Sequence, residues 1–218
     1  MEVTVLMIDD HPPIIEGYKS ILAFNPLDYT VKTKEVFDCE TAYNLIISPN
    51  IHFDLIFLDL TLPPYPAKKI NSGEDLIPII RKYLPQAKVV VLTSHTESLL
   101  LLGIIREHQP EGLLVKSEIQ STDFTPIFDS IIRGATYYSA TVKNTLNSLK
   151  TVPRFLDNYN RRIILLISKG LKTKTIQEEL HLSKSAIDKR KVIIKDYLGI
   201  EKGNDEDLLR EARKQGLI

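Results

Sequence analysis

A single cysteine, Cys39, stands in the 218 residues, so no disulfide can form within the chain, and a reducing compartment suits it. Long hydrophobic runs are equally scarce. The longest stretch without a polar residue is 99–105, seven residues, where a membrane-spanning helix needs about 20. The first ten residues, MEVTVLMIDD, lack a basic region and hold two aspartates, which is not the composition of a secretory signal. There is no excess of charge either: 28 Lys and Arg balance 28 Asp and Glu, so net charge names no partner. What remains is an ordinary globular composition, 43% hydrophobic and 26% charged, in a length suited to one or two domains. The expectation is a soluble, cytoplasmic protein that does not enter a membrane.

The balance of charge is not uniform. Residues 1–150 hold 13 basic against 18 acidic side chains, and residues 151–218 hold 15 against 10. An acidic part followed by a basic part points to a polyanion as partner of the second.

Short apolar runs at 3–8, 30–36, 55–58, 89–92 and 113–115 are rich in Val, Ile and Leu without strict polar alternation. That pattern belongs to strands buried on both faces, as in a parallel sheet. Amphipathic stretches at 14–24, 40–48, 74–84, 97–108 and 123–133 lie between or after them, and Asp38, Ser72 and Thr96 are placed to cap three of these helices. Five strand–helix units in succession predict an α/β fold, a doubly wound parallel five-stranded sheet. Residues 136–155, with Pro153, read as a linker with room for a short helix. No strand signal follows. Helices are expected at 159–168, 173–180, 184–198 and 205–214, which makes a small all-α second domain over 156–218.

In such a sheet the loops at the carboxyl ends of the strands gather function. Asp9 and Asp10 follow the first strand, Asp59 ends the third (FDLIFLDL), Thr93 the fourth (VVVLTS) and Lys116 the fifth (GLLVK). Any one of these residues alone is an ordinary cap, turn or loop residue. Together they place three carboxylates, a hydroxyl and an ammonium on one edge. Neighbouring carboxylates repel unless a cation neutralises them, and Mg²⁺, a hard ion that takes oxygen ligands, is the natural one. Such an ion, with Lys and Thr on the phosphoryl oxygens, suits phosphoryl transfer to a carboxylate.

With an acid pair after strand one, DL at strand three, TS at strand four and K at strand five, residues 1–135 resemble the receiver domain of a two-component response regulator. The resemblance implies Asp59 as phosphoacceptor, Mg²⁺ held by Asp9, Asp10, Asp59 and the Thr61 carbonyl, Thr93 as switch hydroxyl and Lys116 as counter-ion. It also implies a histidine kinase as donor and a homodimer once phosphorylated. Three features depart from the family pattern. The segment from residue 60 to Gly73 is some six residues longer, stiffened by Pro63, Pro64 and Pro66 and basic at Lys68 and Lys69. Leu113 stands where an aromatic residue is common. His95 and Thr61 stand where phosphate lifetime is tuned. The four leucines 99–102 sweep 300° of a helix at 100° per residue, so they cannot all face one core stripe. An interface or a docked second domain would account for the remainder, as would unusually deep burial of that helix.

The second domain has two short helices joined by a tight turn at His181 and Leu182, with Ser183 as cap of the second. This is the helix-turn-helix arrangement, whose second helix enters the major groove. Ile176, Leu180, Leu182, Ile187, Ile194 and Leu198 form its expected core. Lys184, Lys189, Arg190, Lys191 and Lys195 flank it, and clustered cations are rewarded by a phosphate backbone. The run from Gly170 to Ile187, G-L-x-x-K-x-I-x-x-E-L-x-L-S-x-x-x-I, resembles the LuxR-type output domain. That resemblance implies phosphate contacts by Lys174 and Lys191 and base contacts by Lys189 and Arg190. It departs from the family at Ala186, at Arg162 and at Asp188, an acid in a position often basic.

The leading expectation is therefore a transcription factor controlled by phosphorylation of Asp59 that binds double-stranded DNA and is not itself an enzyme. The alternative is a receiver that serves as a phosphate sink or interaction module without DNA binding. A phosphatase using Asp59 as nucleophile is disfavoured, because Thr61 leaves no acid two residues on to protonate a leaving group.

Overall fold

A computed structural model describes residues 1–148 and 157–218. Pro153 and the expected boundary between residues 155 and 156 lie outside the described residues. By packing, the chain divides into two compact units. The first is 1–94 with 104–142, and the second is 95–103 with 143–218.

The first unit is built on a parallel sheet in the order β2-β1-β3-β4-β5-β6. Its strands are β1 (Glu2–Ile8), β2 (Thr30–Val36), β3 (Leu55–Asp59), β4 (Lys88–Thr93), β5 (Gly112–Val115) and β6 (Tyr137–Tyr138). The sheet thus has six strands rather than the expected five. Its last member pairs only Tyr137 with Gly112 and Tyr138 with Leu113. Two residues are too few to carry an alternation signal, which is why this stretch reads as linker in the sequence.

Helices α1 (Pro12–Ala23), α2 (Cys39–Ile46), α3 (Ile77–Tyr83), α4 (Ser98–His108) and α5 (Ser121–Ile132) follow strands β1 to β5 in turn. Asp38 caps α2 by accepting the Thr41 N–H at 2.6 Å. Ser72 makes no such bond and instead precedes a 3₁₀ turn, Gly73–Leu76, that runs into α3. One buried layer joins Val3, Val5, Met7, Phe57, Val90 and Leu92 of the strands to Ile15 and Leu22 of α1 and Phe124, Phe128 and Ile131 of α5. Tyr18, Phe124 and Phe57 stack through it, with ring centres 4.3 and 5.1 Å apart. The alternate residues Leu6, Ile8, Ile56, Leu58, Val89 and Val91 are just as deeply buried, as a sheet covered on both faces requires.

The long segment after β3 is folded on itself. Tyr65 and Ile70 exchange backbone hydrogen bonds at 2.7 and 3.2 Å around a 3₁₀ turn, Pro66–Lys68. Leu62 and Ile70 are buried beneath it, Tyr65 meets Tyr43 of α2 edge to face, and the Cys39 N–H donates to the Pro63 carbonyl.

Helix α6 (Ala140–Ser148) precedes α7 (Asn158–Ser168), α8 (Thr173–Leu180), α9 (Lys184–Tyr197) and α10 (Asp205–Lys214). The second unit closes over Ile163, Ile164, Ile167, Ile176, Leu180, Ile187, Ile194, Leu198 and Leu208. Leu99 belongs to the same apolar cluster and donates its N–H to the Leu217 carbonyl at 3.1 Å. Leu101 and Leu102 are also buried, whereas Leu100 is half-buried, so deep burial accounts for most of the leucine run.

Candidate functional site

The parallel register puts the ends of β1, β3, β4 and β5 on one edge, and their last residues meet there. Asp9 and Asp59 are buried. Lys116, just past β5, donates from Nζ to Asp9 Oδ2 at 2.7 Å and to Asp59 Oδ2 at 2.8 Å. Burial disfavours its ammonium, but the bonds to the two carboxylates outweigh that and hold its pKa above the ordinary lysine value. The Thr61 N–H donates to Asp59 Oδ1 at 3.2 Å, which fixes the carboxylate from the other side. Thr93 closes β4 and is fully buried.

Gly73 explains how the long segment can return so close. A side-chain carbon built there would lie 1.8 Å from the Asp59 carbonyl oxygen, so only glycine fits, and its N–H bonds the Leu60 carbonyl at 2.9 Å.

His11 was not singled out in the sequence, although it directly follows the acid pair. Its backbone N–H donates to Asp9 Oδ1 at 3.0 Å, and its Nδ1 lies 3.1 Å from the same oxygen. Nδ1 is also 2.7 Å from Asp10 Oδ1, but outside hydrogen-bonding alignment. That Asp10 oxygen is a buried atom without a hydrogen-bond partner among the described residues. Asp9, Asp10, His11 and Asp59 each offer one ligand atom, all within 4.8 Å of one another. A buried carboxylate oxygen with no donor, in a group of three acids and one imidazole, is the chemistry of a cation site. Tyr18 is a further neighbour that the sequence did not reveal. It lines a hollow of about 330 Å³ with Ile14, Phe124 and Lys116, and burial raises its phenol pKa, partly offset by the Lys116 charge.

In the second unit, α8 ends at His181, which takes a left-handed conformation (φ 52°), and Ser183 caps α9 by accepting the Ala186 N–H at 3.2 Å. Of the six cations named in the sequence, Lys195 is half-buried and donates to the Gly203 carbonyl at 2.7 Å, and the other five fall into two groups. Lys174, Lys184 and Lys189 are exposed. Arg190 instead forks onto Asp157 at 2.9 and 2.7 Å, bonds Asn160 at 2.9 Å and lies over the Tyr159 ring. Lys191 is only 8% exposed, and its Nζ is held by Asp205 at 2.6 Å and Thr173 Oγ1 at 3.2 Å. The structure therefore does not present Lys191 outward as a phosphate contact. The helical repeat accounts for this: Lys191 lies four residues after Ile187 and three before Ile194, on the inward stripe. Ser185, Asp188, Lys189, Val192 and Asp196 form the outward stripe.

Residues 5–121 match the response regulator receiver domain, more than half of the chain, and the chain belongs to that family. Across nearly its whole length it is similar to two curated regulators. The transcriptional regulatory protein MctR of Rhizobium johnstonii is 26% identical over 100% of this chain and 96% of its own. The nitrate/nitrite response regulator protein NarL of Escherichia coli strain K12 is 29% identical over 89% and 87%. Among solved structures, RcsB from Salmonella enterica serovar Typhimurium, bound to promoter P1flhDC in the presence of the phosphomimetic BeF3⁻, superposes with a TM-score of 0.64. It is 21% identical and covers 96% of this chain and 97% of that one, a likeness of fold.

Proposed function

We propose that the chain is a response regulator whose receiver accepts a phosphoryl group on Asp59 and whose α9 helix binds DNA. The observation that carries the first half is the Lys116 ammonium shared between Asp9 and Asp59, beside an Asp10 oxygen that has no donor among the described residues. Asp9, Asp10, Asp59 and the Thr61 carbonyl are the residues to hold Mg²⁺, which supplies charge neutralisation for the incoming phosphoryl oxygens. Lys116 then exchanges a carboxylate oxygen for a phosphoryl oxygen, and Thr93 supplies a hydroxyl at the neighbouring strand end. A histidine kinase is the donor this family of receivers implies. The transcriptional and DNA-bound relatives support the second half, as do the exposed Lys174, Lys184 and Lys189 around a capped second helix.

A second reading, a receiver with a helical domain that does not bind DNA, is favoured by Asp188 on the outward stripe and by the ion pairing of Arg190 and Lys191. One experiment separates the parts. The protein is incubated with Mg²⁺ and acetyl phosphate, and its intact mass is read beside that of Asp59→Asn. An adduct on the wild type alone supports the receiver chemistry, and an adduct on both refutes Asp59. Binding to mixed-sequence duplex DNA is then followed against salt. Lysine–phosphate contacts by Lys174 and Lys184 give a slope of log K on log salt of about −2 per protomer, and no measurable binding favours the second reading.

A further inference from the structure

The acid pair is followed by a histidine whose side chain is exposed but whose Nδ1 is turned toward the two carboxylates. Pro12 restricts the backbone of the residue before it, and Pro12 and Pro13 begin α1, so His11 is fixed at the helix start with few alternatives. Its backbone N–H is tied to Asp9 Oδ1, which holds the imidazole over the same carboxylates. Lys116 takes the Oδ2 atoms of Asp9 and Asp59. The Oδ1 atoms of Asp9 and Asp10 face His11 Nδ1 instead, at 3.1 and 2.7 Å. The nearer of the two contacts is not a hydrogen bond, and its oxygen is buried without another partner among the described residues. Two carboxylate oxygens and a ring nitrogen turned toward one point, with the closest pair unaligned for proton sharing, are arranged as ligands around an ion.

From this convergence of His11 with Asp9, Asp10 and Asp59 we infer that the cation site is a mixed nitrogen–oxygen site, in which His11 Nδ1 makes it favour a first-row transition ion over Mg²⁺. The inference rests on the reading of the acid cluster as the cation site and adds to it the class of ion. Mg²⁺ takes oxygen ligands and gains little from an imidazole, whereas affinity of nitrogen-containing sites rises along the series from Mn²⁺ through Co²⁺ to Ni²⁺.

The probe is Co²⁺ alone, titrated calorimetrically into the full chain with and without excess Mg²⁺. The fraction that Mg²⁺ displaces belongs to the acid cluster, because Glu74, Glu107 and His108 form another group able to take Co²⁺. Proton spectra of the Co²⁺ complex report directly whether an imidazole is bound, through strongly shifted ring resonances. In His11→Asn, which keeps a good helix cap, and in His11→Ala, Co²⁺ affinity at the displaceable site falls about tenfold or more and the shifted resonances vanish. Mg²⁺ affinity changes by less than about twofold, and the thermal melts of the apo proteins coincide. If Co²⁺ and Mg²⁺ weaken equally, or the shifted resonances survive in both variants, His11 is not a ligand and the inference is overturned while the acid cluster stands. If neither ion binds the wild-type chain at this site, the cluster itself is misread.

Discussion

Lys116 sets the terms for the residues around it. Its pKa is raised by the two carboxylates it bridges, so its contribution to stability is fully present below the ordinary lysine value of about 10.4 and is lost as pH rises through the higher folded value. In Lys116→Met this alkaline loss disappears, while at neutral pH two buried carboxylates are left without their cation, at a cost of about 3 kcal/mol. Urea unfolding at pH 7 and pH 11 measures both effects. Gly73→Ala acts on the same site from the backbone. Its added carbon must displace the Asp59 carbonyl or the segment that follows, which costs about 1–3 kcal/mol and slows acyl-phosphate formation on Asp59. Urea midpoints and the rate of mass gain with acetyl phosphate read the two consequences. Of these neighbours, the acids, Thr93 and Lys116 were legible in the sequence because parallel strands deliver their ends to one edge. His11 and Tyr18 were not: a ring that leans back onto its own loop, or packs under a lysine stem, leaves no periodic trace.

At the scale of the element, α9 shows what periodicity settles and what it leaves open. Its apolar stripe, its Ser183 cap and the turn before it were all readable in advance. Which cations face outward was not, because Lys191 is polar by identity yet occupies an inward position, where Asp205 and Thr173 receive it. Two substitutions separate the roles. Lys184→Ala leaves stability unchanged within about 0.5 kcal/mol, weakens DNA binding and lowers the salt slope by about one. Lys191→Ala removes a buried donor from the α9–α10 contact, costs about 1–2 kcal/mol and leaves the slope unchanged. Salt-dependent fluorescence anisotropy on labelled DNA, paired with thermal melts, decides between them. The sheet gives the same lesson. Strands β1, β3, β4 and β5 are buried and mostly apolar and β2 alternates along the sheet edge, whereas β6 is only two tyrosines paired with β5.

Over the whole molecule, the acidic first 150 residues and the basic remainder cancel to a sequence pI of about 7.0. A chain with no net charge at neutral pH has little self-repulsion, so solubility at low salt is expected to be lowest near pH 7 and to rise on either side. Phosphorylation of Asp59 adds roughly one negative charge and moves that minimum to lower pH, which light scattering across pH 5–9 detects. The closed hairpin after β3 has another consequence. Its Pro63 carbonyl holds the backbone N–H of Cys39, the lone cysteine, whose side chain has no exposed surface and whose pKa burial pushes up to about 11. A thiol that is neither accessible nor ionised reacts with an alkylating reagent only when the packing around α2 opens. Labelling of Cys39 against time is therefore a clock for that opening, built into the natural sequence with no second cysteine to confuse it.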